Sequence, residues 1–353
     1  MFQAEPNNFR ELRTTSRPDI ILRMSHNEDT GEVFVGSSDA NVYQVNPGVE
    51  NPEFIPLEGH TSYVMGLVDT GKYVVSGSYD KSLIWWNKET KERVRQIERA
   101  HDRWIRNLAI TPDKKYVLSV ADDMACKIWD AESGELVRIL DSHIKITEQG
   151  FPNMLYAVAV SPDGKLVATV DRIAKIKIWD FNTGEELNEL EAPKCYTWDP
   201  KARIHAIGGI RSVTFSPDSS QVAVGGIGQI GNVDHLGAAG RVELFDVSSG
   251  EKIHMFEGDD KHKGLVEQII FHPSGKWMMA VGGDHNGWIQ FMDLEKKEVI
   301  KQVKAPMHIH QMVLADDFKM AFGAGHNRLA VWTFEPEAAV EEKAEVSGEE
   351  TTG

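Results

Sequence analysis

Short runs in which apolar and polar residues alternate recur along the whole chain, each closed by a turn signal. Between Trp104 and Leu140 the alternation predicts four strands: Trp104 to Ile110, Tyr116 to Val120, Ala125 to Asp130 and Glu135 to Leu140. Every second side chain of a pleated strand shares a face, so Val117 and Ser119 oppose Leu118 and Val120. Thr111-Pro112-Asp113-Lys114 joins the first two strands. Its counterparts elsewhere are Ser161-Pro162-Asp163-Gly164, Ser216-Pro217-Asp218 and His272-Pro273-Ser274-Gly275. Proline presets the backbone for the first corner of a turn, and the polar residue after it favours closure. No long helical periodicity interrupts these units.

The third strand of each unit ends in one recurring phrase. The seven copies are Tyr43-Gln44-Val45-Asn46, Ile84-Trp85-Trp86-Asn87, Lys127-Ile128-Trp129-Asp130, Lys177-Ile178-Trp179-Asp180, Glu243-Leu244-Phe245-Asp246, Gln290-Phe291-Met292-Asp293 and Ala330-Val331-Trp332-Thr333. Self-similarity at about 40–45 residues with a Trp-Asp ending predicts propeller blades. Over nearly its whole length the chain resembles the WD-repeat β-propeller family, and no particular member of it. The expected fold is all-β: a single seven-bladed β-propeller of four-stranded blades over residues 17–334. The last repeat supplies only three strands, ending near Phe334. Residues Asn8 to Thr15, within an N-terminal segment 1–16, are expected to add the missing outer strand and remove two open sheet edges.

The resemblance also implies a buried hydrogen-bonded set in each complete repeat. It contains a His before the inner strand, a Ser or Thr on the second strand, an Asp in the next turn and the Trp. His60, Ser76, Asp80 and Trp86 match it, as do His101, Ser119, Asp123 and Trp129. The fourth repeat keeps His143, Thr169 and Trp179 but has Ile173 at the Asp position. Repeats five to seven depart further, with Phe245 and Met292 in place of Trp. These His and Asp residues are read as structural groups that satisfy one another, not as catalysts.

Composition narrows the partners. A formal charge of −16 disfavours a nucleic-acid backbone, which needs a basic surface. Residues 335–353 hold seven Glu against one Lys and are expected to form a disordered acidic tail that raises solubility or tethers something basic. Cys126 and Cys195 have no metal-type spacing, and Cys126 falls inside a strand. The first residues lack an apolar core of signal-peptide length, and no run approaches a membrane span. A cytoplasmic setting is expected.

The repeats are longest in the middle. Spacings between Trp-type positions are 41, 43, 50, 66, 47 and 40, against a consensus of about 42. The excess falls in outer-to-inner loops and second-to-third-strand loops, which emerge on one face because the chain reverses with each strand. A binding face over blades four to six is one reading and tolerated decoration is the other. Segment 144–154 holds Lys145 and Phe151; segment 192–211 holds Tyr196, Trp198, Lys201, Arg203 and Arg211. Aromatic and Arg residues anchor interfaces, and basic groups on an acidic molecule suit an acidic or phosphorylated segment. Tyr196 and Trp198 would alternatively only fold their loop onto the blades. Where the inner strands begin, Tyr63, Trp104, Arg106, Tyr156, Arg211, His308 and His310 are expected to ring the channel mouth.

The function expected is a non-catalytic scaffold that binds a protein or peptide as a monomeric propeller within a larger complex, without a cofactor. The alternative is an enzyme or metal-binding protein with a histidine-lined site at the mouth, using His235, His285, His308 and His310. Asp234, Asp284 and His326 lie in loops of the same face. Imidazole and carboxylate suit divalent cations, although these spacings match no named metal motif. The glycines from Gly225 to Gly231 precede another strand, whereas a dinucleotide cradle needs a helix there. No serine-nucleophile elbow, zinc-protease helix or phosphate loop occurs.

Overall fold

The computed structural model describes residues 4–27, 30–201, 205–231, 237–259, 261–315 and 318–337, apart from the side chains of His205 and Gly208. Arg203, Asp234, His235 and the tail from residue 338 onward lie outside the described residues. Seven four-stranded antiparallel sheets form the blades, and among the described residues up to Pro336 there is no α-helix. Blade three shows the pattern: Ile105–Ile110 innermost, then Tyr116–Ala121, Cys126–Asp130 and Leu136–Leu140. Its second and third strands are almost wholly buried, whereas Leu136, Val137 and Ile139 of the outer strand are exposed. Burial on both faces explains why the middle strands read as nearly continuous apolar runs.

Cohesion comes from between the blades. One apolar cluster joins Val75 and Trp85 of blade two to Leu108, Val117 and Trp129 of blade three. Similar clusters occupy the remaining junctions around the ring. Since no blade can bury its faces alone, the ring is one cooperative unit.

Arg10–Ser16 pairs antiparallel with Arg328–Thr333 and completes the seventh blade, so the N-terminal strand closes the ring. A second clasp precedes it. Phe9 is buried with its ring 5.1 Å from Phe291 and 4.7 Å from Phe334. Lys301 Nζ donates to the carbonyl oxygens of Pro6, Asn7 and Phe9 at 2.7–3.1 Å. Burial there lowers the Lys301 pKa.

The four-residue sets form in blades two and three, with a fixed direction of donation. Trp129 Nε1–H donates to Ser119 Oγ at 2.8 Å, and Ser119 lies 2.7 Å from His101 Nε2. His101 Nδ1 lies 3.0 Å from Asp123 Oδ2, which accepts only, so that nitrogen carries the hydrogen. The hydroxyl therefore donates to Nε2. His60, Ser76, Asp80 and Trp86 repeat the chain at 2.8–2.9 Å. Blade four also closes its set, although Ile173 stands where the Asp was expected. Asp171, at the end of the second strand, reaches His143 Nδ1 at 3.2 Å. It also accepts Asn153 Nδ2, so the insertion at 144–154 is tied into the same network.

Candidate functional site

The inner strands share a defect that positions the channel mouth. In six blades the inner strand slips register at its start and carries one extra residue: Leu22, Met65, Arg106, Tyr156, Glu267 and His310. A bulge of this kind bends the strand and re-aims its side chain. In blade five Arg211 occupies the equivalent place immediately before Ser212–Phe215. In blades two, three, four and seven the second-to-third-strand turn is also tied to the mouth. Tyr79, Asp122, Arg172 and His326 donate their backbone N–H to the carbonyls of Tyr63, Trp104, Met154 and His308 at 2.8–3.1 Å. In these four blades the residue after the second strand thus sits beside the bulge.

Over blades two to five this geometry builds an aromatic–guanidinium arc. Tyr63 stacks on Tyr79 at 5.8 Å, and Tyr79 on Trp104 at 4.7 Å with ring planes 10° apart. Arg106 lies over Tyr79, Trp104 and Tyr156, within 5.5 Å of each ring centre. Asp122 clamps the guanidinium through two bonds of 2.7 and 2.8 Å, and Nη1 donates to the Tyr79 hydroxyl. Arg211 lies 3.8 Å over the Tyr156 ring. The outer edge remains open, with Tyr63 46% and Trp104 48% exposed. Large rings are therefore held rigidly and still presented to solvent.

The long loops behave differently. Tyr196–Asp199 and His205–Gly208 form a two-stranded hairpin anchored by buried Ala192, Cys195 and Ile210. Trp198 packs on Phe151 at 5.5 Å, joining the two insertions, and the Tyr196 hydroxyl donates to Gln149. Tyr196, Trp198 and Phe151 are half-buried in these contacts, so much of their surface is spent on folding the loops down. Lys145 and Lys201 are exposed.

On the opposite side, blades six and seven gather three imidazoles around a carboxylate. The His308, His310 and His326 rings lie 4.6–5.0 Å apart. Glu267 Oε1 is 3.3 Å from His308 Nε2 and 3.8 Å from His310 Nδ1. Both expected histidines thus sit inside the channel wall; His308 is only 6% exposed. His285 points to solvent at 91% side-chain exposure and pairs with Asp284. A channel cavity of about 190 Å³ runs beneath the mouth, lined in part by Arg23, Arg211, Glu267 and His310.

The sequence pattern does not join Glu267 to the histidines, and it does not single out Tyr79, Asp122 or Asp171. Tyr79 and Asp122 did carry a signal, since both immediately precede the Asp of a structural set. Cys126 and Cys195 are free and buried, and burial pushes the Cys195 thiol up to about 12. No helix among the described residues is long and apolar enough to cross a membrane.

Residues 52–87 and 92–130 match the model of the WD domain, G-beta repeat, family. These stretches contain the two sets that matched the family pattern in full. Each match runs from the outer strand of one blade into three strands of the next, which is why closure needs the N-terminal strand. With seven four-stranded blades in the ring, the chain is a seven-bladed β-propeller, two stretches of which match the WD-repeat family. Part of the chain is also similar to curated relatives. The nuclear distribution protein nudF of Aspergillus niger is 33% identical over 75 residues, 21% of this chain and 16% of that protein. PAC1 of Yarrowia lipolytica is 36% identical over 72 residues, covering 20% and 16%. PAC1 of Arthroderma otae is 32% identical over 104 residues, covering 27% and 22%. The chain thus spans between a sixth and a quarter of the length of these relatives.

Proposed function

We propose that the protein is a non-catalytic platform that binds a protein or peptide segment at the channel mouth through the arc formed by Tyr63, Tyr79, Trp104, Arg106, Tyr156 and Arg211. One observation carries the reading: half-exposed aromatic rings stacked in series and pinned by a guanidinium that Asp122 itself clamps. Such rings lose little rotamer freedom on binding, and Trp, Tyr and Arg are the residue types that dominate interface energetics. Guanidinium groups facing the mouth favour an acidic or phosphorylated segment. The WD-repeat fold and the similarity to nuclear distribution proteins support a scaffold role. Free buried thiols fit the expected reducing, cytoplasmic setting.

The test is an array of acidic and phosphorylated peptides, with hits measured by fluorescence anisotropy against wild type and a Tyr63→Ala/Trp104→Ala variant. Both side chains are exposed, so the variant is expected to fold and to lose at least about 30-fold in affinity. Equal binding by both proteins would remove the arc from the interface.

A further inference from the structure

We infer that Glu267, His308 and His310 form a binding site for a divalent transition-metal ion of the zinc type, spanning blades six and seven. One ligand atom from each residue falls within 4.8 Å of the others. This site shares no ligand with the aromatic arc and does not rest on the platform reading.

The hydrogen bonding of His308 carries the inference. Its Nδ1 lies 3.0 Å from the backbone carbonyl of Asp284. A carbonyl only accepts, so Nδ1 carries a hydrogen, and when the ring is neutral Nε2 presents a lone pair. That lone pair faces Glu267 Oε1 at 3.3 Å, is buried, and has no hydrogen-bond partner. Two electron-rich atoms at that distance repel unless a cation lies between them. A proton on Nε2 would serve this one contact, but the contact lacks the alignment of a hydrogen bond. It would also leave His310, whose Nδ1 stands 3.8 Å from the same oxygen, unserved. A metal ion serves the carboxylate and both imidazoles together.

The surroundings suit that occupant. Histidine ligands of metals commonly donate their second nitrogen to a backbone carbonyl or carboxylate, which fixes the tautomer, as Asp284 does here. Two imidazoles and one carboxylate select borderline cations over calcium or magnesium and leave a fourth position open. Glu267 and His310 also line the cavity of about 190 Å³. Arg23 and Arg211 line the same cavity and oppose a bare cation, so they favour an anionic fourth ligand such as hydroxide or a carboxylate.

The experiment uses the full chain, stripped with a chelator and titrated with Zn²⁺ and separately with Co²⁺. Expected are one tightly held equivalent, ligand-field bands from bound Co²⁺, and a rise in thermal midpoint because the ion bridges two blades. His308→Gln and the isosteric Glu267→Gln should each weaken binding by about 100-fold or more. His285→Ala, which removes the exposed imidazole, should change nothing. Failure of the wild-type chain to retain either ion would overturn the site whatever the variants do. So would binding that survives both pocket substitutions, or that vanishes with His285→Ala.

Discussion

Blades two to four and blades five to seven are built on the same strand plan but held together by different chemistry. In the first group a hydroxyl on the second strand receives the tryptophan N–H and passes a hydrogen bond through histidine to an aspartate. The chain of bonds hooks the loop entering the inner strand to the turn leaving the second strand. Cross-strand pairing places Val224, Ala280 and Gly323 at the hydroxyl positions of blades five to seven. No such hook is possible there, and the buried Trp332 Nε1–H has no partner. Two substitutes appear. Blade five buries Glu243 between Arg241 at 2.6 Å and Lys252 at 3.0 Å. Blades six and seven pack Trp277, Phe291, Trp332, Phe334 and the N-terminal Phe9 into one aromatic cluster. The comparison teaches that the rigid, exposed arc grows where the loops are hooked. The histidine cluster with unsatisfied nitrogens lies where they are not.

The strongest way to break this contrast is at the aromatic clasp. Phe9→Ala should cost about 3–5 kcal/mol, read as a shifted denaturant midpoint, because a large buried ring leaves a cavity. Removing residues 1–16 should cost more, since the closing strand goes as well; an unchanged melting temperature would contradict closure. In blade five, Glu243→Ala leaves buried Arg241 without its main counter-charge and should cost about 3 kcal/mol. Ser119→Ala in blade three strands the Trp129 N–H and one nitrogen of His101, at about 1–3 kcal/mol. The equivalent Ala280→Gly, with no polar group to orphan, should cost less.

Acid sharpens the same contrast. Burial opposes ionisation of Asp80 and Asp123, but their histidine partners and further hydrogen bonds outweigh it and hold both carboxyls below the usual range. Burial also lowers the His101 pKa. All three groups bind protons more readily when unfolded, so their stabilisation is present at neutral pH and is lost on acidification. The loss should begin below about pH 6.5 through His101 and continue below about pH 4 through the aspartates. Pairing Asp123→Asn with the wild type in thermal melts across that range should flatten the slope. The smallest expected effect is that of Trp104→Ala on stability, within about 0.5 kcal/mol, because its ring is half-exposed.

Much of the molecule was legible in its sequence. The period and its terminal phrase specified seven blades, and the missing fourth strand of the last repeat pointed to the N-terminus. Inner-strand register placed Arg106, Tyr156, Arg211 and His310 on the mouth. The Asp of blade four was misassigned because Asp171 reaches His143 from two positions upstream of Ile173, a shift that no alignment of turns displays. Tyr79 and Glu267 escaped for a related reason. Each belongs to its group through a neighbour on another blade, and strand periodicity carries no information about that neighbour.

What the sequence determined by itself is therefore the repeated local chemistry: alternation, turns, the hydroxyl–histidine–aspartate sets and the number of blades. These depend on interactions within one repeat or with the next. Only the closed ring decided which residues face one another across the mouth. Bulges re-aim one side chain in six of the inner strands, and closure then brings blades one and seven together at a distance of some three hundred residues in the chain, as when Gln311 Oε1 accepts Met24 N–H. The arc and the histidine–carboxylate cluster are products of that geometry.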